Sequence, residues 1–146
     1  KILDLLNQAA AEGAEIRASS DAPGEGAFIA PYVVRDVAHG STLTRNEVFG
    51  PVAPIVVFDD QAEGIRMAND TEYGLISYVF ARDAGAGIKV ARQMESGMVA
   101  VNRGLASDPA APFGGMKESG LGREGGAEGI EEYTTVQYMG MPSPWA

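Results

Sequence analysis

Apolar residues at Ile2, Leu5, Leu6 and Ala9 recur at the spacing of one helical face, and Gly13 stands where a glycine closes a helix. The spacing then shortens. A strand is expected over residues 15–17, an exposed loop rich in glycine and proline over 19–26, and a second strand over 28–35. Pro31 inside that second strand points to a sheet edge or an irregular entry. Residues 36–54 hold no sustained period and carry Gly40, Gly50, Pro51 and Pro54, so they read as one long loop. Loops of that length are uncommon in compact domains unless they serve a function.

Residues 55–58 are wholly apolar, as expected of a strand covered on both faces. Asp59 or Asp60 can cap the helix that follows, with Ala62, Ile65 and Ala68 facing inward. A strand is expected over 76–81. Asp83 then caps a helix whose stripe is Ala84, Ile88, Ala91 and Met94, ended by Gly97, with Gly85 and Gly87 weakening its first turn. Met98–Val101 is a further apolar strand. Apolar strands alternating with helices predict an α/β fold with a mostly parallel sheet and flanking helices.

The character changes after residue 106. Six glycines and two prolines fall between Pro109 and Gly126, too many for a helix or strand. Residues 127–132 allow a short helical turn. The stretch 133–139, opening at Tyr133 and closing at Met139, is rich in β-forming residues and reads as an edge strand suited to a partner chain. The chain has 146 residues, about one domain, and no internal repeat. It begins at Lys1, within a helical pattern, and is expected to be a piece of something longer.

Charge and composition narrow the function classes. The formal net charge of -9 and the lack of a Lys/Arg cluster argue against a nucleic-acid partner. No window approaches the roughly 18 continuous apolar residues of a membrane span, and residues 1–21 show no basic stretch followed by an apolar one, so secretion is not expected. There is no cysteine, which fits a reducing cytosol and excludes thiolate chemistry from this chain. The single His39, in a His-Gly-Ser stretch, reads as a solvated loop residue, so no soft-metal site is expected. Asn69-Asp70-Thr71 matches a glycosylation sequon, which carries no weight without a secretory context.

Residues 120–125, Gly-Leu-Gly-Arg-Glu-Gly, formally match a dinucleotide-binding glycine pattern. That pattern needs a strand before it, a helix opening from it and an acidic residue about 20 positions on. None is offered here, and the match is set aside. Two segments remain as candidate site material. One is Asn46-Glu47-Val48-Phe49-Gly50-Pro51, an acid and an aromatic on the long loop. The other is Pro112-Phe113-Gly114-Gly115-Met116-Lys117-Glu118-Ser119-Gly120, whose glycines permit close backbone approach to a ligand. Each also has a plain reading: a surface carboxylate beside a core phenylalanine, and a flexible loop.

These segments carry a family resemblance. Glu47-Val48-Phe49-Gly50-Pro51-Val52 resembles the Glu-x-Phe-Gly-Pro motif of the aldehyde dehydrogenase superfamily. Asn69-Asp70-Thr71-Glu72-Tyr73-Gly74-Leu75 is similar to the family segment after the next helix. Residues 112–117 with Ser119 and Gly120 resemble its closing Pro-Phe-Gly-Gly-x-Lys-x-Ser-Gly. The three are collinear and span essentially the whole chain. Residues 101–107 and 119–126 look most like those of succinate-semialdehyde dehydrogenases.

The resemblance implies an NAD- or NADP-dependent oxidation of a small aldehyde, with succinate semialdehyde favoured. In such enzymes a cysteine thiolate attacks the aldehyde, hydride passes to the nicotinamide, and activated water hydrolyses the thioester. The nucleophile, the general base and the phosphate-binding loop would all lie upstream of Lys1, leaving no catalytic residue here. Glu47 would bind the nicotinamide ribose and Phe49 would pack beside the nicotinamide. Ser107 would hydrogen-bond the far carboxylate of the substrate, and Phe113 would wall the aldehyde tunnel. Residues 1–130 would be the second half of a catalytic α/β domain, and 131–146 an oligomerisation strand and tail that builds a homo-oligomer. Two readings from other classes are a non-catalytic α/β oligomerisation or binding module, and an enzyme subunit whose catalytic half is a separate chain.

Overall fold

The structure, a computed structural model, describes residues 1–21 and 26–144. It is α/β, and residues Lys1–Ala68 and Asn69–Ala146 form two compact units.

The first unit opens with α1 (Ile2–Ala11), which buries Leu5, Leu6 and Ala9 as the apolar spacing requires. Gly13 follows with φ +99°, a left-handed turn that costs glycine nothing. The chain then enters β1 (Glu15–Ala18), which runs antiparallel to β2 (Tyr32–Arg35); β2 pairs in parallel with β3 (Val52–Pro54). Val34 is fully buried on β2, and Val37, Leu43 and the α1 residues complete the core around it.

Several expectations are corrected in this unit. The second strand starts at Tyr32, not at 28, because Pro31 has no N–H to give to a ladder. Its carbonyl instead accepts the Ser19 N–H. The strand is central in its sheet, not an edge, since Pro31 lies just before the paired residues. The expected long loop contains a short helix, α2 (Thr42–Arg45), and the whole of β3. The Glu12 carboxylate accepts both the backbone N–H and the hydroxyl of Thr42, which holds α2 against the end of α1.

The apolar run 55–58 is not a strand covered on both faces. Hydrogen bonding to the β2 segment reaches Ile55, whose N–H donates to the Val34 carbonyl at 2.8 Å, and goes no further among the described residues; Val57 and Phe58 are mostly exposed. Phe58 packs instead over Gly64 of α3 (Gln61–Asn69). Asp60 is the residue that caps α3, accepting the Glu63 N–H at 2.9 Å, while the Glu63 carboxylate accepts the Asp59 N–H at 2.8 Å. Of the expected inner face, Ile65 is half-buried while Ala62 and Ala68 are exposed. In the loop expected over 19–26, residues 19–21 and Gly26 are exposed, and 22–25 lie outside the described residues.

The second unit is built on β5 (Ile76–Val79) and β6 (Met98–Val101), which pair in parallel with α4 (Ala84–Ala91) crossing between them. Asp83 caps α4 through the Ala86 N–H at 2.8 Å. The buried position on α4 is Gly87, not Ile88, which is 47% exposed. A Cβ at residue 87 would lie 2.8 Å from Val101 Cγ1, so this glycine lets the helix sit close to β6. The helix ends at Ala91, well before Gly97.

A smaller antiparallel pair, β4 (Tyr73–Gly74) with β7 (Met116–Lys117), places a strand inside the glycine-rich segment where none was expected. α5 (Glu128–Glu131) occupies the expected helical turn. Residues 135–139 form no strand in the single chain, and Tyr133, Val136 and Tyr138 are each more than 90% exposed. A lone strand has nothing to bond to, so its backbone donors and acceptors stay with solvent.

Candidate functional site

The loop after α2 sets out Glu47 and Phe49 by burying the residue between them. Asn46 ends the helix in an extended conformation, and its side-chain amide donates to the Thr42 carbonyl at 2.9 Å. Val48 packs on the core, so Glu47 and Phe49 both face outward. Phe49 therefore lies outside the core of this unit: the residue is 83% exposed and its φ is +52°. A left-handed backbone at a bulky aromatic is uncommon and disfavoured. Glu47 makes no hydrogen bond or ion pair among the described residues. An unpaired carboxylate beside an open aromatic face suits a ligand that carries both hydroxyls and a flat ring.

The second unit brings Ser107 and Phe113 together. They line one concave basin with Asp108, Pro109, Ala111, Glu124 and Gly125. The Phe113 end is fixed by an antiparallel bridge to Glu124, with N–H to carbonyl distances of 2.6 and 2.7 Å. Arg123 tightens this bend from below, donating through Nη1 to the carbonyls of Gly115 at 2.8 Å and Gly122 at 2.9 Å. The Ser107 end is shaped by Asp108, whose carboxylate accepts the Ala110 N–H at 3.0 Å. Asp108, Glu124 and Arg123 received no role from sequence reasoning. Their signal was only that they stand within or beside the resembling segments.

The motif residues that contact nothing in the basin hold its frame. Lys117 donates to the carbonyls of Asn69 and Thr71 and pairs with Glu95 at 2.7 Å. The Ser119 hydroxyl accepts the Gly74 N–H at 3.0 Å. The Asn69 side chain, which opens the second resembling segment, donates to the Gln93 carbonyl and accepts the Glu95 N–H. Among the described residues no group of three or more His, Cys, Asp or Glu side chains could hold a metal ion. No helix among them is long and apolar enough to cross a membrane.

The order of the motifs along the chain is the one the aldehyde dehydrogenase resemblance requires. The sequence matches the model of the aldehyde dehydrogenase family over residues 1–139, and the chain belongs to that family. It is 47% identical over 142 residues to a succinate-semialdehyde dehydrogenase of Paenarthrobacter nicotinovorans, covering 96% of this chain and 32% of that protein. It is 50% identical over 114 residues to a glutarate-semialdehyde dehydrogenase of Pseudomonas aeruginosa, covering 78% of this chain and 24% of that protein. Among solved structures, the NAD+ complex of an aldehyde dehydrogenase from Bacillus cereus superposes with a TM-score of 0.86 at 36% identity, covering 93% of this chain and 28% of that one. The chain thus spans about a third or less of the length of these relatives.

Proposed function

We propose that these residues act as the C-terminal part of an NAD- or NADP-dependent aldehyde dehydrogenase that oxidises succinate semialdehyde in the cytosol. Residues 1–130 form the second half of its catalytic domain, and 131–146 its oligomerisation strand and tail. The observation that carries the reading is the basin that Ser107 and Phe113 line together. The family match and the semialdehyde-oxidising relatives support it.

Bound in that enzyme, the nicotinamide cofactor supplies the hydride acceptor. Glu47 accepts hydrogen bonds from the ribose hydroxyls, charge-assisted contacts that fix the ring's position. Phe49 offers its exposed face to the nicotinamide end. Phe113 packs against the aliphatic part of the aldehyde and keeps water from it. Ser107 donates a hydroxyl hydrogen bond to the remote carboxylate. The covalent steps belong to a cysteine outside this chain, which has none.

The test compares the full-length enzyme with the 146-residue chain. The full-length enzyme should form NADH or NADPH steadily from succinate semialdehyde, and the isolated chain none from any aldehyde. Steady production by the pure chain would overturn the reading.

A further inference from the structure

Arg103 stands just beyond the C-terminal end of β6, the side of a parallel pair where ligands of α/β proteins commonly bind. The residue before it is held firmly. Asn102 has φ +52°, and its side-chain amide closes on the backbone of Ala81, accepting the N–H at 2.8 Å and donating to the carbonyl at 2.9 Å. The chain therefore leaves β6 in a fixed direction, and Arg103 lines a pocket of about 250 Å3 with Ala106, Asp108, Pro112 and Phe113. Asp108, Ala111 and Phe113 also line the basin of Ser107, so the two concavities share one wall.

Their charges differ. The Ser107 basin is lined by two acidic residues, Asp108 and Glu124, and no cationic one. An anion there would find the Ser107 hydroxyl but no cation to offset these two acids, so Ser107 alone gives it a weak hold. Arg103 is the one cationic side chain lining either concavity. It makes no hydrogen bond or ion pair among the described residues, although Asp108 lines the same pocket. The Asp108 carboxylate is turned to the Ala110 N–H, which leaves the guanidinium uncommitted. A free guanidinium on an aromatic wall suits a carboxylate gripped by two parallel hydrogen bonds.

We infer that Arg103 is the residue of this chain that selects a carboxylate-bearing aldehyde, holding the remote carboxylate on its own side of Phe113. Ser107 then contributes a secondary contact at the shared wall. The inference rests on the proposed aldehyde oxidation and says which side chain sets its substrate class.

The experiment measures kcat/KM of the full-length enzyme for succinate semialdehyde and for butanal, which replaces the carboxylate by a methyl group. The variants are Arg103→Gln, Arg103→Lys and Ser107→Ala. The ratio of the two kcat/KM values should fall about 10- to 100-fold in Arg103→Gln, mostly through KM for the semialdehyde. It should fall less in Arg103→Lys, which keeps the charge but loses the fork, and least in Ser107→Ala. An unchanged ratio in Arg103→Gln, or a larger fall in Ser107→Ala, would overturn the inference while leaving the aldehyde dehydrogenase reading in place. A wild-type enzyme inert toward both aldehydes would overturn that reading, and this inference with it.

Discussion

Lys117 donates through Nζ to the Asn69 carbonyl at 2.9 Å, across 48 residues of sequence. The same nitrogen reaches the Thr71 carbonyl at 3.0 Å and the Glu95 carboxylate at 2.7 Å. One ammonium thus ties the backbone of residues 69–71 and the Glu95 side chain to the segment that carries Phe113. Its own φ is +54°, a strained value for a side chain of that size, and the three bonds offset the strain.

Replacing Lys117 by methionine keeps the aliphatic stem and deletes all three bonds. Hydrogen bonds to charged groups contribute about 1.5–3 kcal/mol each, and partial exposure lowers that figure. Chemical denaturation should show a loss of about 2–3 kcal/mol. Glu95→Gln should cost under about 1 kcal/mol, because Glu95 is 58% exposed and exposed ion pairs contribute little. Equal losses in the two variants would mean that the ion pair, not the backbone bonds, is what matters.

Gly97 and Gly104 make a second contrast. A Cβ at residue 97 would overlap the Gly114 carbonyl oxygen, a backbone-on-backbone clash that no rotamer relieves. At residue 104 a Cβ meets nothing within 4 Å. Gly97→Ala should destabilise the protein by about 1–3 kcal/mol or more, and Gly104→Ala should stay within about 0.5 kcal/mol. Thermal unfolding of the two variants checks this, and a neutral Gly97→Ala would contradict the close packing of Gly97, just before β6, on residues 114–115.

Much of the fold was legible where local signals agreed with each other. α1, β1 and β6 follow their periodicity, and Asp83 and Asp60 cap the helices that start beside them. The reading failed where tertiary pairing decided. The apolar run 55–58 looked more strand-like than 52–54, yet β2 pairs with Val52, Ala53 and Pro54, a choice that rests on register with a distant segment. Four-residue α2 is too short to show a period. The α4 stripe pointed to Ile88, but a glycine, invisible to hydrophobic counting, is what faces β6. At the site, resemblance brought out Glu47, Phe49, Ser107 and Phe113. Exposure then distinguished Phe49 from a core residue, and Arg103, Asp108 and Glu124 emerged only from the shapes they line.

Residues 133–139 expose Tyr133, Val136 and Tyr138 almost fully, and among the described residues only the Tyr133 and Thr134 N–H groups bond within the turn before them, to Ile130 and Glu131. In the proposed full-length enzyme this stretch joins a second subunit by strand addition. Val136→Pro removes one donor and should disturb that ladder, lowering the mass seen by light scattering. The same mass for variant and wild type would rule out this stretch as the oligomer contact.

The central claim is that this chain places the cofactor for a reaction whose nucleophile lies elsewhere, and Glu47→Gln tests it most directly. The substitution keeps the side chain's size and removes its charge, so the ribose loses its charged acceptor and the nicotinamide ring its fixed position. Small misplacements near the chemistry cost about 100-fold in rate. Single-turnover formation of NADH or NADPH, followed by absorbance in the full-length enzyme, should slow by about that factor with both succinate semialdehyde and butanal. A wild-type rate in the Glu47→Gln enzyme on both aldehydes would contradict the account, leaving Glu47 an ordinary surface carboxylate.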